Sequence, residues 1–179
     1  METFTAFDPE TEVIGQAMLA LVECVNKDHI LPILRRHGLE HIEPDRWYPQ
    51  QVWLDVFRDV ASNTSSALFD LVAIGIKFVE TARFPEGIDS IEEALIAVND
   101  SYQMNHRGGY AGEMSVVIMG PRHVQVIDHT PYADDFTYGV IYALARRFRP
   151  EGTYPTIRHD DTAPCRKRGD DSCTYDITW

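Results

Sequence analysis

The sequence predicts an α+β fold in which an N-terminal helical layer packs on a C-terminal antiparallel sheet. Three observations carry that expectation. Apolar residues recur at helical spacing through the first two-thirds of the chain, the spacing switches to alternation after Arg107-Gly108-Gly109, and a single further helix then separates two groups of short strands. Residues 1–108 are read as the helical layer and 109–179 as the sheet-rich part with one helix, together one domain of 179 residues.

Each element has a local reason. Val13, Ile14, Ala17, Met18, Leu21 and Val22 line one helical face after Asp8-Pro9-Glu10, a cap followed by a proline start. Ile30, Ile33 and Leu34 mark a second helix that should stop at Gly38. Glu43 to Pro49 reads as an irregular approach to a third, carrying Val52, Trp53, Val56, Phe57 and Val60. Ser65 or Ser66 caps a fourth, which is apolar on most of its circumference and therefore interior. Gly75 at its middle permits close approach of another helix or a ligand. Ser90 with Glu93 forms a capping box for a fifth. Met114–Met119 and His123–Asp128 then read as strands joined at Gly120-Pro121, residues 135–148 as helix, and Tyr154–Arg158 and Cys173–Trp179 as closing strands.

Composition excludes several roles. The formal charge of −12 argues against a nucleic-acid partner held by phosphate neutralisation. No apolar run approaches the roughly 20 residues needed to span a bilayer. Met1 to Pro9 lacks the layout of a signal peptide, and three cysteines are too few for a secreted disulfide scaffold, so a cytoplasmic location is expected. No glycine fingerprint for a nucleotide cofactor is present, and Gly108-Gly109 reads as a turn.

The most specific segment is Cys165-Arg-Lys-Arg-Gly169-Asp170-Asp-Ser-Cys173-Thr-Tyr175. Its Gly-Asp turn lets the two thiols approach across a reversal. With His159, Asp160 and Asp161 nearby they can form a zinc site of mixed sulfur, nitrogen and oxygen ligands; the alternative is a pair of free thiols in a hairpin. Cys165 is followed by three cations but lacks an identifiable general base, so nucleophilic catalysis is not indicated.

From about Asp128 to Trp179 the chain resembles the 4-vinyl reductase domain family, through Cys165, Gly169, Asp170, Cys173 and Tyr175, with Thr130-Pro131 and the helix bearing Tyr138, Gly139 and Leu144 upstream. Related modules include the sensory domains of aromatic-responsive activators, trafficking-particle subunits and the haem domain that senses nitric oxide. The resemblance implies a helical layer, an antiparallel sheet and an enclosed apolar cavity. In the aromatic sensors zinc is held by the two cysteines, an acid just before the first, and a third cysteine on the preceding helix. Here Thr162 falls at the acid, and the helix offers Asp134 and Asp135, so Cys165 and Cys173 with His159 and Asp161 are the expected metal ligands. The Tyr-x-Ser-x-Arg motif that pairs with haem propionates is absent; Asp128-His-Thr-Pro-Tyr132 stands in its place, and His106 is the histidine nearest the expected axial position.

Trp53, Phe57, Phe78, Tyr102, His106, His129 and Tyr138 are the candidates for lining a ligand cavity between helices and sheet, although aromatics at such spacing are usually core. The leading expectation is a sensory or carrier module for an apolar or tetrapyrrole-like small molecule, working as a homodimer or with a signalling partner. The alternatives are an enzyme or auxiliary factor of chlorophyll-type tetrapyrrole metabolism, and a non-catalytic scaffold subunit. The absence of nameable catalytic residues favours a receptacle over an enzyme.

Overall fold

The computed structural model describes residues 4–62 and 66–179. Its elements are β1 (Glu12–Ile14), α1 (Gly15–Met18), α2 (Ala20–Glu23), α3 (Lys27–Arg36), β2 (Trp47–Pro49), α4 (Gln50–Ala61), α5 (Ala67–Thr81), α6 (Ile91–Ile96), α7 (Val98–Met104), β3 (His106–Arg107), β4 (Glu113–Gly120), β5 (His123–His129), α8 (Asp134–Arg147), β6 (Thr156–His159) and β7 (Cys173–Thr178). A short 3₁₀ turn, Arg166–Arg168, lies between the last two strands. The expected α+β arrangement is the one found.

The larger sheet runs β4-β5-β7-β6, antiparallel throughout. Alternation sets its inner face: Val124, Val126 and Asp128 on β5 and Cys173, Tyr175 and Ile177 on β7 are buried. These meet Val140, Ile141 and Leu144 of α8 in a core that continues through Ile74 and Leu71 of α5 to Trp53, Leu54 and Phe57 of α4. The β4–β5 turn passes through Pro121 and Arg122, the latter at φ 57°.

The first helix begins later than periodicity suggests. Glu12–Ile14 form a strand between Trp47–Pro49 and His106–Arg107, giving a second, three-stranded sheet that helical spacing alone conceals. Val13 and Ile14 are β-branched and both fully buried, so pairing with distant segments outweighs weak helix preference. At the junction, Gly15 N–H donates to the carbonyl of Arg46 at 2.7 Å. Gly38 ends α3 at φ 69° as expected. Ser90 accepts the Glu93 N–H at 3.1 Å, the capping half of the predicted box. Ser65 lies outside the described residues; Ser66 precedes α5, but its hydroxyl donates to the buried Asp70 carboxylate at 2.6 Å instead of capping. Among the described residues no helix is long and apolar enough to cross a membrane.

Candidate metal centre and adjoining groove

The cysteine hairpin is organised by local acids. Asp160, just past β6, accepts from the Thr162 N–H and hydroxyl. Asp170 accepts the Cys165 N–H at 2.9 Å and returns its own N–H to the Cys165 carbonyl at 3.2 Å, with Gly169 at φ 96° completing the reversal. This folds Cys165 back beside Cys173 at the start of β7. His159, the last residue of β6, stands opposite Tyr175 in the strand register and meets its ring edge-on at 5.3 Å.

Asp134, the first residue of α8, closes the group. One ligand atom from each of Asp134, His159, Cys165 and Cys173 lies within 4.8 Å of every other. The Cys165 thiol donates to Asp134 Oδ2 at 3.6 Å, and Cys173 Sγ accepts the Arg166 N–H at 3.2 Å. The Nε2 atom of His159 is buried and has no hydrogen-bond partner among the described residues. Two sulfurs, an imidazole and a carboxylate suit zinc, whose tetrahedral ligand atoms stand about 3.3–3.8 Å apart, so closing the site on an ion needs a contraction of about 1 Å. Asp161 stays outside this group: its carboxylate is 3.7 Å from His159 Nδ1, and its side chain is 94% exposed. Proximity in sequence favours Asp161. Proximity in space selects Asp134, the first residue of the helix that precedes the cysteine hairpin.

Electrostatics around the cluster are dominated by burial and one cation. Burial raises the Cys173 thiol above its ordinary range, and neighbouring Asp134 raises it further. For Asp134, burial is the largest single effect and pulls upward, but the Arg166 charge, hydrogen bonding with Cys173 and Arg166 and the Lys167 charge together outweigh it and hold the carboxyl below the usual range.

Beside the cluster a groove of about 1020 Å³ runs between α5, the first turn of α8 and the β6–β7 edge of the sheet. Leu68, Phe69, Val72 and Ile76 supply its apolar wall, Tyr138 faces them, and Asp134, His159 and Cys165 line the metal end. Leu68 is 53% and Phe69 71% exposed, an unusual concentration of apolar surface.

The other expected ligand residues separate. Trp53 and Phe57 are wholly buried in the core. Phe78, Tyr102 and His106 line an enclosed cavity of only about 30 Å³, whose remaining walls include Tyr132, Met114 and Phe136. Phe57, Phe78 and Tyr132 all meet Phe136 with ring centroids 4.9–5.6 Å apart, filling the space. His129 sits near the surface against Phe7 at 5.0 Å. Only Tyr138 reaches the groove.

No family model matches the chain, and no curated protein does. Solved structures do. A triple mutant of an H-NOX protein from S. oneidensis, in the Fe(II) ligation state, superposes with TM-score 0.69 at 13% identity, covering 92% of this chain and 95% of that one. An S. oneidensis H-NOX protein in the Fe(II)NO ligation state gives 0.68, again at 13% identity, with 92% and 97% covered. A point mutant of T. tengcongensis H-NOX gives 0.64 at 13% identity, covering 92% and 93%. This chain therefore has the H-NOX fold.

Haem, which that fold brings into question, does not fit this interior. A space of about 30 Å³ holds roughly one water, against several hundred Å³ for an ordinary ligand pocket. His106 is also fully engaged: Nδ1 is 2.7 Å from the Tyr102 carbonyl and Nε2 is 3.0 Å from the Tyr132 hydroxyl.

Proposed function

We propose that this chain is a small-molecule-binding module of sensory or carrier type, acting as one domain over residues 1–179. Its metal centre is Asp134, His159, Cys165 and Cys173, and its ligand site is the adjoining groove. The observation that carries this reading is the continuity of an apolar groove of about 1020 Å³ with the four clustered ligand atoms. The volume is ample for a drug-sized or larger ligand. An apolar molecule is the expected guest, and a tetrapyrrole-like one would have to lie in the groove, not in the interior.

Zinc held by the four residues would tie β6, the cysteine hairpin and the start of α8 together, supplying stability and a fixed wall for the groove. Ligand action would then be differential affinity for two arrangements of that wall, passed to a partner protein or a twin subunit in the cytoplasm. The resemblance of the last third of the chain to the 4-vinyl reductase family accords with this use of the cysteine hairpin, and it keeps an auxiliary role in tetrapyrrole metabolism as the enzymatic alternative. The packed interior favours a second reading, a scaffold subunit whose groove receives a protein.

Metal analysis and native mass spectrometry of the protein isolated from its producing cells test the proposal. It predicts near-stoichiometric zinc, and thermal stabilisation by members of a panel of aromatics, lipids and tetrapyrroles that follows RT ln(1+[L]/Kd). Substoichiometric metal removes the centre; a panel that shifts nothing transfers weight to the scaffold.

A further inference from the structure

Arg166 follows Cys165 directly, yet its guanidinium is buried, the residue being 8% exposed. It spans three segments. Nε donates to Asp134 Oδ1 at 2.8 Å, and Nη2 stands 2.7 Å from the same oxygen in an ion pair. Nη2 donates to Asp128 Oδ2 at 2.6 Å, and Nη1 donates to the carbonyls of Asp128 (3.4 Å) and Thr130. Asp128 Oδ2 in turn accepts the Thr137 hydroxyl at 2.7 Å.

This arrangement divides the Asp134 carboxylate. Oδ1 is taken by the guanidinium fork, and Oδ2 is left facing Cys165 Sγ at 3.6 Å. The backbone N–H of the same arginine donates to Cys173 Sγ, so one residue touches two of the four proposed ligands and neighbours a third. We infer that Arg166 is the positioning residue of the metal centre: by occupying Oδ1 it presents Asp134 to the ion through Oδ2 alone. The inference rests on the metal reading above. A planar fork is needed, because only a guanidinium delivers several donors in fixed directions to two carboxylates; a lysine ammonium is a point charge that can neutralise them without orienting either. Removing such an outer partner of a metal ligand typically weakens metal binding about 10–100-fold.

The test compares wild type, Arg166→Lys and Thr137→Val, each stripped with chelator. Zn²⁺ affinity is measured by competition with a chromophoric chelator, and Co²⁺-loaded protein is read by its visible absorption. Thr137→Val loosens the same buried network at its outer end without touching Asp134 or a thiol. The expected result is a Zn²⁺ affinity about 10-fold or more lower in Arg166→Lys with an altered Co²⁺ spectrum, and no change beyond about threefold in Thr137→Val. If the lysine variant folds only with metal, the Zn²⁺ concentration at half-maximal refolding is compared instead; if it folds at no Zn²⁺ level, Arg166 serves the fold alone and the inference falls. Equal affinities for wild type and Arg166→Lys, or equal losses in the two variants, overturn it while leaving the metal centre intact. A wild type that binds no Zn²⁺ overturns the centre and the inference together.

Discussion

Gly75 of α5 and Gly139 of α8 face each other at the crossing of the two helices that frame the groove. A Cβ built on Gly75 would lie 3.0 Å from the Gly139 Cα and closer still to the Phe136 carbonyl; one on Gly139 would lie 3.1 Å from the Gly75 Cα and press on the Val72 carbonyl. Backbone meets backbone there, so no side-chain rotation can relieve an added methyl. The separation of α5 from α8, and with it the width of the groove, is set by two hydrogen atoms.

Gly75→Ala and Gly139→Ala should each destabilise the protein. Alanine gains about 1 kcal/mol of helix propensity over glycine, but overpacking against rigid main chain falls at the upper end of about 1–3 kcal/mol, and the expected net loss is about 1–2 kcal/mol. Urea unfolding measures it. A variant as stable as wild type would mean that the helices separate freely and that the crossing does not fix the groove.

Metal removal should be felt locally and thermally. With zinc at the cysteine hairpin, excess chelator is expected to lower Tm by several degrees, and Cys165→Ser and Cys173→Ser should each start near the chelated value and respond little to further chelator. Differential scanning calorimetry with and without chelator reads both. An identical Tm for untreated and chelated wild type would separate the cluster from stability.

Legibility in the sequence divided along a physical line. The helices α3, α4 and α8, the alternating strands β5 and β7 and the Ser90–Glu93 cap are written in local pattern and formed within a residue or two of where that pattern placed them. β1 and its two neighbours were hidden because pairings of only two or three residues between positions 12–14, 47–49 and 106–107 depend on contacts that no window of the sequence contains. The proximity of the two thiols was foreseeable from the Gly169-Asp170 turn. Asp134 was not selected, because only the packing of α8 against the hairpin brings it to the cysteines from thirty-odd residues away. The expected cavity failed for a different reason: aromatics at helical spacing such as Phe57 and Phe78 can line a cavity or fill it, and with Tyr132 and Phe136 they fill it.

The exposed wall of the groove offers a separable test of ligand binding. Phe69 is mostly in solvent, so Phe69→Ser should change stability by no more than about 0.5 kcal/mol, while Ala73→Trp should occlude the groove beside it. For any compound that stabilises wild type, both variants should lose most of the thermal shift. Full retention in both would place the compound elsewhere on the protein.

His106 supplies a pH dependence whose sign is fixed by its surroundings. A carbonyl can only accept, so Nδ1 carries the proton that is donated to Tyr102 O, and Nε2 accepts from the Tyr132 hydroxyl. The ring is thus neutral in the folded protein, and burial pushes its pKa down to about 4 from the ordinary 6.5. Between those two values the unfolded chain binds a proton that the native state refuses, so stability is fully present above pH 6.5 and is lost as pH falls toward 4. The shift corresponds to about 3 kcal/mol. Other buried groups also respond to acid, which makes the difference between two proteins the cleaner quantity. His106→Gln keeps a polar side chain and cannot titrate; it should be less stable than wild type at about pH 7.5, and that gap should narrow by about 3 kcal/mol by about pH 4 as the wild type alone loses its histidine contribution. Urea midpoints across this range, taken in chelator so that metal ligands do not intrude, measure the gap. Parallel curves would show that the imidazole titrates alike in the native and unfolded chains, contrary to its enclosure between Tyr102 and Tyr132.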